Sequence, residues 1–246
     1  MKKHYLLHTL FTLLMFSSCQ KDEFTYPVAV KMEIAIAEGN ASHLNFTHGY
    51  ILFDQITFEG QRRQGEDVYF ATRSDDEIGP VYFQYGDKVR VKDFDIPQGI
   101  YSSMRWRFEL EDMDDIGDDT DSSNYDEVDE NLLDEGGLLL VGSYRALDGT
   151  VLPLYIVVDD GELLVADTKG GDSYGDITLS TENTYNACLV LDPYYALQAV
   201  APESLEAAER SDNDGVEYIE ISEDENEALF EIILYRLQNS ISVVIE

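Results

Sequence analysis

Ser103-Met104-Arg105-Trp106-Arg107-Phe108-Glu109-Leu110 alternates polar and apolar side chains at every step. A repeat of two is the period of a β-strand, so Met104, Trp106, Phe108 and Leu110 are predicted to face a core. Ser103, Arg105, Arg107 and Glu109 then face water. Upstream, Val28 to Ala37 repeats the pattern, with Val30, Met32, Ile34 and Ile36 on one face. In Tyr50 to Glu59, Leu52, Ile56 and Phe58 fall on one side and Ile51 and Phe53 on the other. Asp67 to Thr72, Val81 to Tyr85 and Val89 to Ile96 read as further strands. They are parted by polar or glycine-containing turns such as Gln61-Arg62-Arg63-Gln64-Gly65.

Past Gly136-Gly137 a second β region begins. Leu138 to Tyr144, Val151 to Val158 and Glu162 to Ala166 are predicted strands, joined by Leu147-Asp148-Gly149-Thr150 and Asp159-Asp160-Gly161, both Asp-Gly turns that favour hairpins. Ile177 to Leu179 and Tyr185 to Leu191 continue it. Glu203 to Arg210 is a short amphipathic piece, and Ser222-Glu223-Asp224-Glu225 has the spacing of a capping box, predicting a helix through about Gln238. Leu229, Ile232, Ile233 and Leu237 form its apolar stripe, which marks a packing helix. Ser240 to Ile245 closes the chain as an apolar strand that either completes its own sheet or is donated to a neighbouring subunit. The expected fold is mainly β: an antiparallel β-sandwich over 28–110, then a second β-rich region over 138–246 with a C-terminal packing helix.

The stretch between them differs in kind. Residues 109–135 hold 14 acidic side chains and no Lys or Arg, so 111–137 reads as a self-repelling loop or linker. A sharper reading is a calcium loop. Counted from Asp119, oxygen ligands fall at Asp119, Asp121, Ser123, Glu127 and Glu130, positions 1, 3, 5, 9 and 12, with the Tyr125 carbonyl at position 7. Asn124 stands where such a loop needs its turn glycine, a place Asn tolerates because it enters the left-handed region.

The N-terminus carries a targeting pattern. Met1-Lys2-Lys3 is basic, Leu6 to Phe16 is apolar but too short to span a bilayer, and Ser17-Ser18-Cys19 follows. This resembles the lipobox of bacterial lipoproteins, which implies cleavage of residues 1–18 and a diacylglyceryl group on Cys19, the membrane anchor. Gln20-Lys21-Asp22-Glu23 resembles the export tag of surface-exposed lipoproteins of the Bacteroidota, implying the outer leaflet of the outer membrane, with 19–27 as a tether. Within the body, Phe94-Asp95-Ile96-Pro97-Gln98-Gly99-Ile100-Tyr101 resembles the Pro-x-Gly-x-Tyr corner of transthyretin-like and fimbrillin-type sandwich lipoproteins, which implies a sandwich fold and leaves function open.

Loss of Lys2 and Lys3 with the leader leaves 14 basic against 50 acidic side chains, a mature net charge of about −36. Such a field repels nucleic acid and anionic headgroups and admits cations, basic proteins or neutral ligands. Cys188, in an apolar run, has no thiol left to pair with and reads as a small core residue. His4, His8, His43 and His48 all precede residue 49, so the faintly hydrolase-like Gly171-Asp172-Ser173-Tyr174 lacks a downstream base, and zinc lacks a ligand set. Tyr194 and Tyr195 read as an exposed aromatic pair, and Trp106 as core. No cofactor is expected beyond calcium. The expectation is a non-enzymatic surface lipoprotein that binds, adheres or assembles. Its alternatives are a glycan-capture accessory of a polysaccharide uptake system and a carboxylate-dependent hydrolase.

Overall fold

The computed structural model describes residues 25–39, 41–73, 78–113, 132, 136–170, 175–213 and 215–246. The fold is mainly β. The strands are β1 (Pro27–Ile36), β2 (Leu44–Arg62), β3 (Val68–Ala71), β4 (Ile78–Gln84), β5 (Val89–Pro97), β6 (Gly99–Leu110) and β7 (Leu138–Arg145). They continue with β8 (Val151–Val158), β9 (Leu163–Gly170), β10 (Ile177–Leu179), β11 (Tyr185–Leu191), β12 (Ser211–Asn213), β13 (Val216–Ile221) and β14 (Ser242–Ile245). Three helices, α1 (Pro193–Leu197), α2 (Pro202–Glu206) and α3 (Glu227–Ser240), complete the described elements.

All the strands join one curled sheet, in the order β12-β13-β8-β7-β2-β6-β9-β14-β11-β1-β5, with β10 on β6 and both β3 and β4 on β2. Strands of 28–110 pair with strands of 138–246: β1 with β11, β2 with β7 and β6 with β9. Most ladders are antiparallel, as expected. Those of β1 with β11, β8 with β13 and β9 with β14 are parallel, so the sheet is mixed.

β2 organises the sheet through its length. The Leu52 N–H donates to the Gly137 carbonyl at 3.0 Å and the Leu52 carbonyl accepts from the Glu111 N–H at 3.2 Å. The N–H and C=O of one strand residue point to the same edge, so β6 and β7 follow one another along a single edge of β2. β8 and β9 do the same along the next position, because Gly137 N–H donates to Val158 O and Gly161 N–H to Leu110 O. Register shifts between Ile51 and Phe53 and between Phe53 and Gln55 mark the bend in β2 at this junction.

The alternation around Trp106 is realised as read. Trp106 is fully buried, 4.7 Å from the Phe58 ring and 5.3 Å from Phe94, while Phe94 on β5 meets Phe70 on β3 at 5.4 Å. These contacts bring the terminal strand of the sheet back against its middle. The indole N–H donates to the Thr168 hydroxyl at 3.1 Å, which removes the cost of burying it unpaired. At the corner between β5 and β6 the Tyr101 hydroxyl donates to the Pro97 carbonyl at 2.5 Å. Burial pushes that phenol up to about 12. A smaller cluster on the opposite sheet face joins Tyr50, Leu139 and Val157 to Met113 and Leu132.

Several expected boundaries move. β2 starts at Leu44 rather than Tyr50, because the short apolar–polar run Leu44-Asn45-Phe46-Thr47 pairs with β7. Ser222 does not start the C-terminal helix. Its hydroxyl accepts from the Glu225 N–H at 3.0 Å and its own N–H donates to Glu225 O, closing a turn before α3. Asn226, in the left-handed region at φ 61°, is the residue that precedes the first helical turn. α3 then buries Phe230, Ile233 and Leu237. β14 lies between β9 and β11 with both edges paired, which is the strand of its own sheet rather than a donor.

Candidate functional site

Asp192-Pro193-Tyr194-Tyr195 builds the site. Pro193 fixes the first helical φ and has no N–H to satisfy, and the Asp192 Oδ1 accepts from the Tyr195 N–H at 2.8 Å, capping α1. Five residues are too few to hold a helix by propensity. Arg236 of α3 supplies the other end: its guanidinium donates to Tyr195 O at 2.8 Å and to Ala196 O at 3.2 Å, and the Gln198 N–H adds a longer bond to Tyr195 O at 3.3 Å. The same guanidinium carbon stands 4.2 Å from the centre of the Tyr195 ring, a cation–π contact worth about 0.5–1 kcal/mol at a half-exposed position.

Beside α1 opens a groove of about 590 Å³, lined among others by Glu38, His43, Asp192, Tyr194, Tyr195 and Gln198. This is within the range of small-ligand sites. The two tyrosines expected as an exposed pair divide the work. Tyr195 is 44 % exposed. Tyr194 is half-buried: its hydroxyl accepts from the Phe46 N–H at 3.2 Å and its ring meets Phe46 edge-on at 5.4 Å. Gly39 lies against that ring so closely that a Cβ there would come within 2.0 Å of it, so only glycine leaves the wall in place. Sequence reading found the pair through Pro193 but missed Glu38, Gln198 and the Arg236 clamp. The Asp192-Pro193 start signal was visible; the long-range clamp was not.

The other singled-out residues lie elsewhere. His43 lines the groove and meets Tyr144 edge-on at 6.2 Å, whereas His48 packs with Tyr50 at 5.5 Å and Tyr82 at 5.4 Å on the other sheet face, so the two do not share a site. Cys188 is 2 % exposed, and burial pushes its thiol up to about 11, which suits a core residue. At the bend of β2, burial and the Glu223 carboxyl raise Asp159 to about 7, and burial followed by Asp54 and Asp112 raises Glu111. Among the described residues no three His, Cys, Asp or Glu side chains gather to hold a metal.

Cys19 and the tag Gln20, Lys21, Asp22 and Glu23 lie outside the described residues. So do the calcium-loop residues Asp119, Asp121, Ser123, Tyr125, Glu127 and Glu130, and Gly171-Asp172-Ser173-Tyr174. Comparison of the whole chain with protein-family models, with curated proteins and with solved structures gives no match.

Proposed function

We propose that this is a lipid-anchored protein of the outer bacterial surface that binds a ligand without turning it over, in the groove beside α1. The observation that carries the reading is the construction of that groove. A short helix capped by its own aspartate and clamped by Arg236 holds an exposed tyrosine at the rim, while Asp192 and Glu38 give the lining an acidic character. Sites for uncharged or cationic ligands are built this way, with a few fixed polar groups around an aromatic wall. A nucleophile with its base is a different construction, and His43 faces Tyr144 across an edge-on ring contact. The anchor rests on the lipobox resemblance at Cys19, and the setting outside the cell on the tag behind it. Both suit a body whose charge keeps it apart from anionic headgroups.

The anchor is tested by the protein's address. In cells expressing the full chain, a membrane-impermeant label reaches the wild-type protein, and Cys19→Ala moves it out of the membrane fraction. Protection of the wild type from label, or membrane retention of Cys19→Ala, defeats the surface-anchor reading.

A further inference from the structure

Building on the groove as a binding site, we propose that Tyr195 is a stacking platform for one ring of a neutral glycan. A pyranose presents an apolar C–H face and a rim of hydroxyls, so its receptor needs a flat, accessible π-surface with acceptors and donors at its edge. Tyr195 supplies the surface at 44 % exposure. Arg236 lies over that ring at 4.2 Å, and Tyr195 itself lines the groove. The bonds from Arg236 to Tyr195 O and Ala196 O fix the backbone beneath the ring, so little freedom is lost when a ligand stacks on it.

The rim chemistry selects among sugars. Asp192 uses Oδ1 for the helix cap and leaves Oδ2 to accept from a hydroxyl, while the exposed Gln198 amide both donates and accepts. Glu38 adds a second carboxylate, and among the described residues no Lys or Arg lines the groove, which disfavours uronic or sulfated sugars. A basic peptide is the competing ligand of the same charge preference. It is disfavoured at this ring because the Arg236 cation already occupies the π-system and repels another.

The experiment uses the full-length protein in detergent micelles, run by affinity electrophoresis in gels containing dextran, galactomannan or polygalacturonate, with oligolysine binding measured by calorimetry. At least one neutral polymer is expected to retard the wild type, and Tyr195→Ala to weaken that retardation by about tenfold or more, the scale on which one contact sets affinity. Tyr195→Phe is expected to retain it and Gln198→Ala to weaken it, with unchanged melting temperatures confirming the fold. Tyr69→Ala, which removes a tyrosine that is 70 % exposed elsewhere, is expected to change nothing. Retardation that survives both Tyr195→Ala and Gln198→Ala overturns the platform, as does retardation by polygalacturonate alone. Oligolysine binding that Tyr195→Ala abolishes, with no glycan bound, overturns the sugar but leaves the groove standing. Absence of binding to every probe counts against both.

Discussion

Two junctions lie side by side where β2 bends, and they solve one problem at very different lengths. β6 ends at Leu110 and β7 begins at Leu138; β8 ends at Val158 and β9 begins at Leu163. The first pair of strand ends is separated by 27 residues and the second by four. Loop-closure entropy grows only with the logarithm of length, so a long separation between paired strands adds little to the cost of pairing them. The flanks explain why the long excursion is tolerated. Leu52 bonds to Gly137 and Glu111, Gly137 to Val158, and Leu110 both accepts from Gly161 and donates to Glu162, so the ladders run across both gaps. The long excursion also contributes contacts, since Met113 and Leu132 cover Tyr50, Leu139 and Val157 on the outer sheet face. The short one leaves Asp159 half-buried beside Glu223.

The largest effect should come from the glycines that serve the two junctions for different reasons. A Cβ on Gly137 would lie 2.5 Å from the Leu110 Cβ and 3.0 Å from the Glu111 carbonyl, so Gly137→Val is expected to destabilise by about 3 kcal/mol in urea unfolding. Gly161 has φ +72° and open space around it, so Gly161→Ala costs only the left-handed conformation, about 1 kcal/mol. Equal losses at the two positions would break the distinction between a packing glycine and a conformational one.

Leu132→Ala tests whether the long excursion stabilises the sheet. Leu132 is 3 % exposed, and its truncation is expected to lower stability by about 2 kcal/mol. A loss within error of zero would mean that the outer face is held by the sheet alone.

The smallest effect is a change of slope with pH. Folding raises the Asp159 carboxyl from 3.8 to about 7, with burial as the first cause and Glu223 next. An acid raised in this way contributes stability in full below its unfolded value and loses it as pH climbs through the folded one. Asp159→Asn, permanently neutral, is therefore expected to melt higher than wild type at about pH 8, with the gap closing toward about pH 4. Parallel melting curves across that window would show that the short junction carries no proton-linked strain.

Much of the strand content was legible because a period of two survives in single sequences wherever one face is buried. Val30, Met32, Ile34, Trp106 and Phe108 all entered the core where alternation put them. The C-terminal helix was legible from its stripe, of which Ile233 and Leu237 are buried, but Ile232 is exposed with Phe230 buried in its stead, and the helix start was not legible. Ser222 and Glu225 have the spacing of a cap and form the matching hydrogen bond, yet they close a turn, because the chain must still turn at Asn226 before it can pack α3. β13 went unread since Val216-Glu217-Tyr218-Ile219-Glu220-Ile221 sits in acidic surroundings and earns its place only by pairing with β8. In the groove, Tyr194 and Tyr195 were visible as a pair, but their inequality depends on Gly39, Phe46 and Arg236, which are distant in sequence.

By itself the sequence determined the β class, the hydrophobic faces of β1 and β6, Trp106 and Cys188 as core residues, and the strongly acidic net charge. These are local or additive properties: side-chain alternation follows from backbone geometry, and charge from counting. Only the tertiary structure decided that β6 and β7 share one edge of β2, that β14 lies between β9 and β11, and that Arg236 clamps Tyr195 beside a groove. Each of these is a pairing between residues far apart in the chain. Backbone hydrogen bonds carry no side-chain identity, so which strand meets which is set by the packing of the whole core.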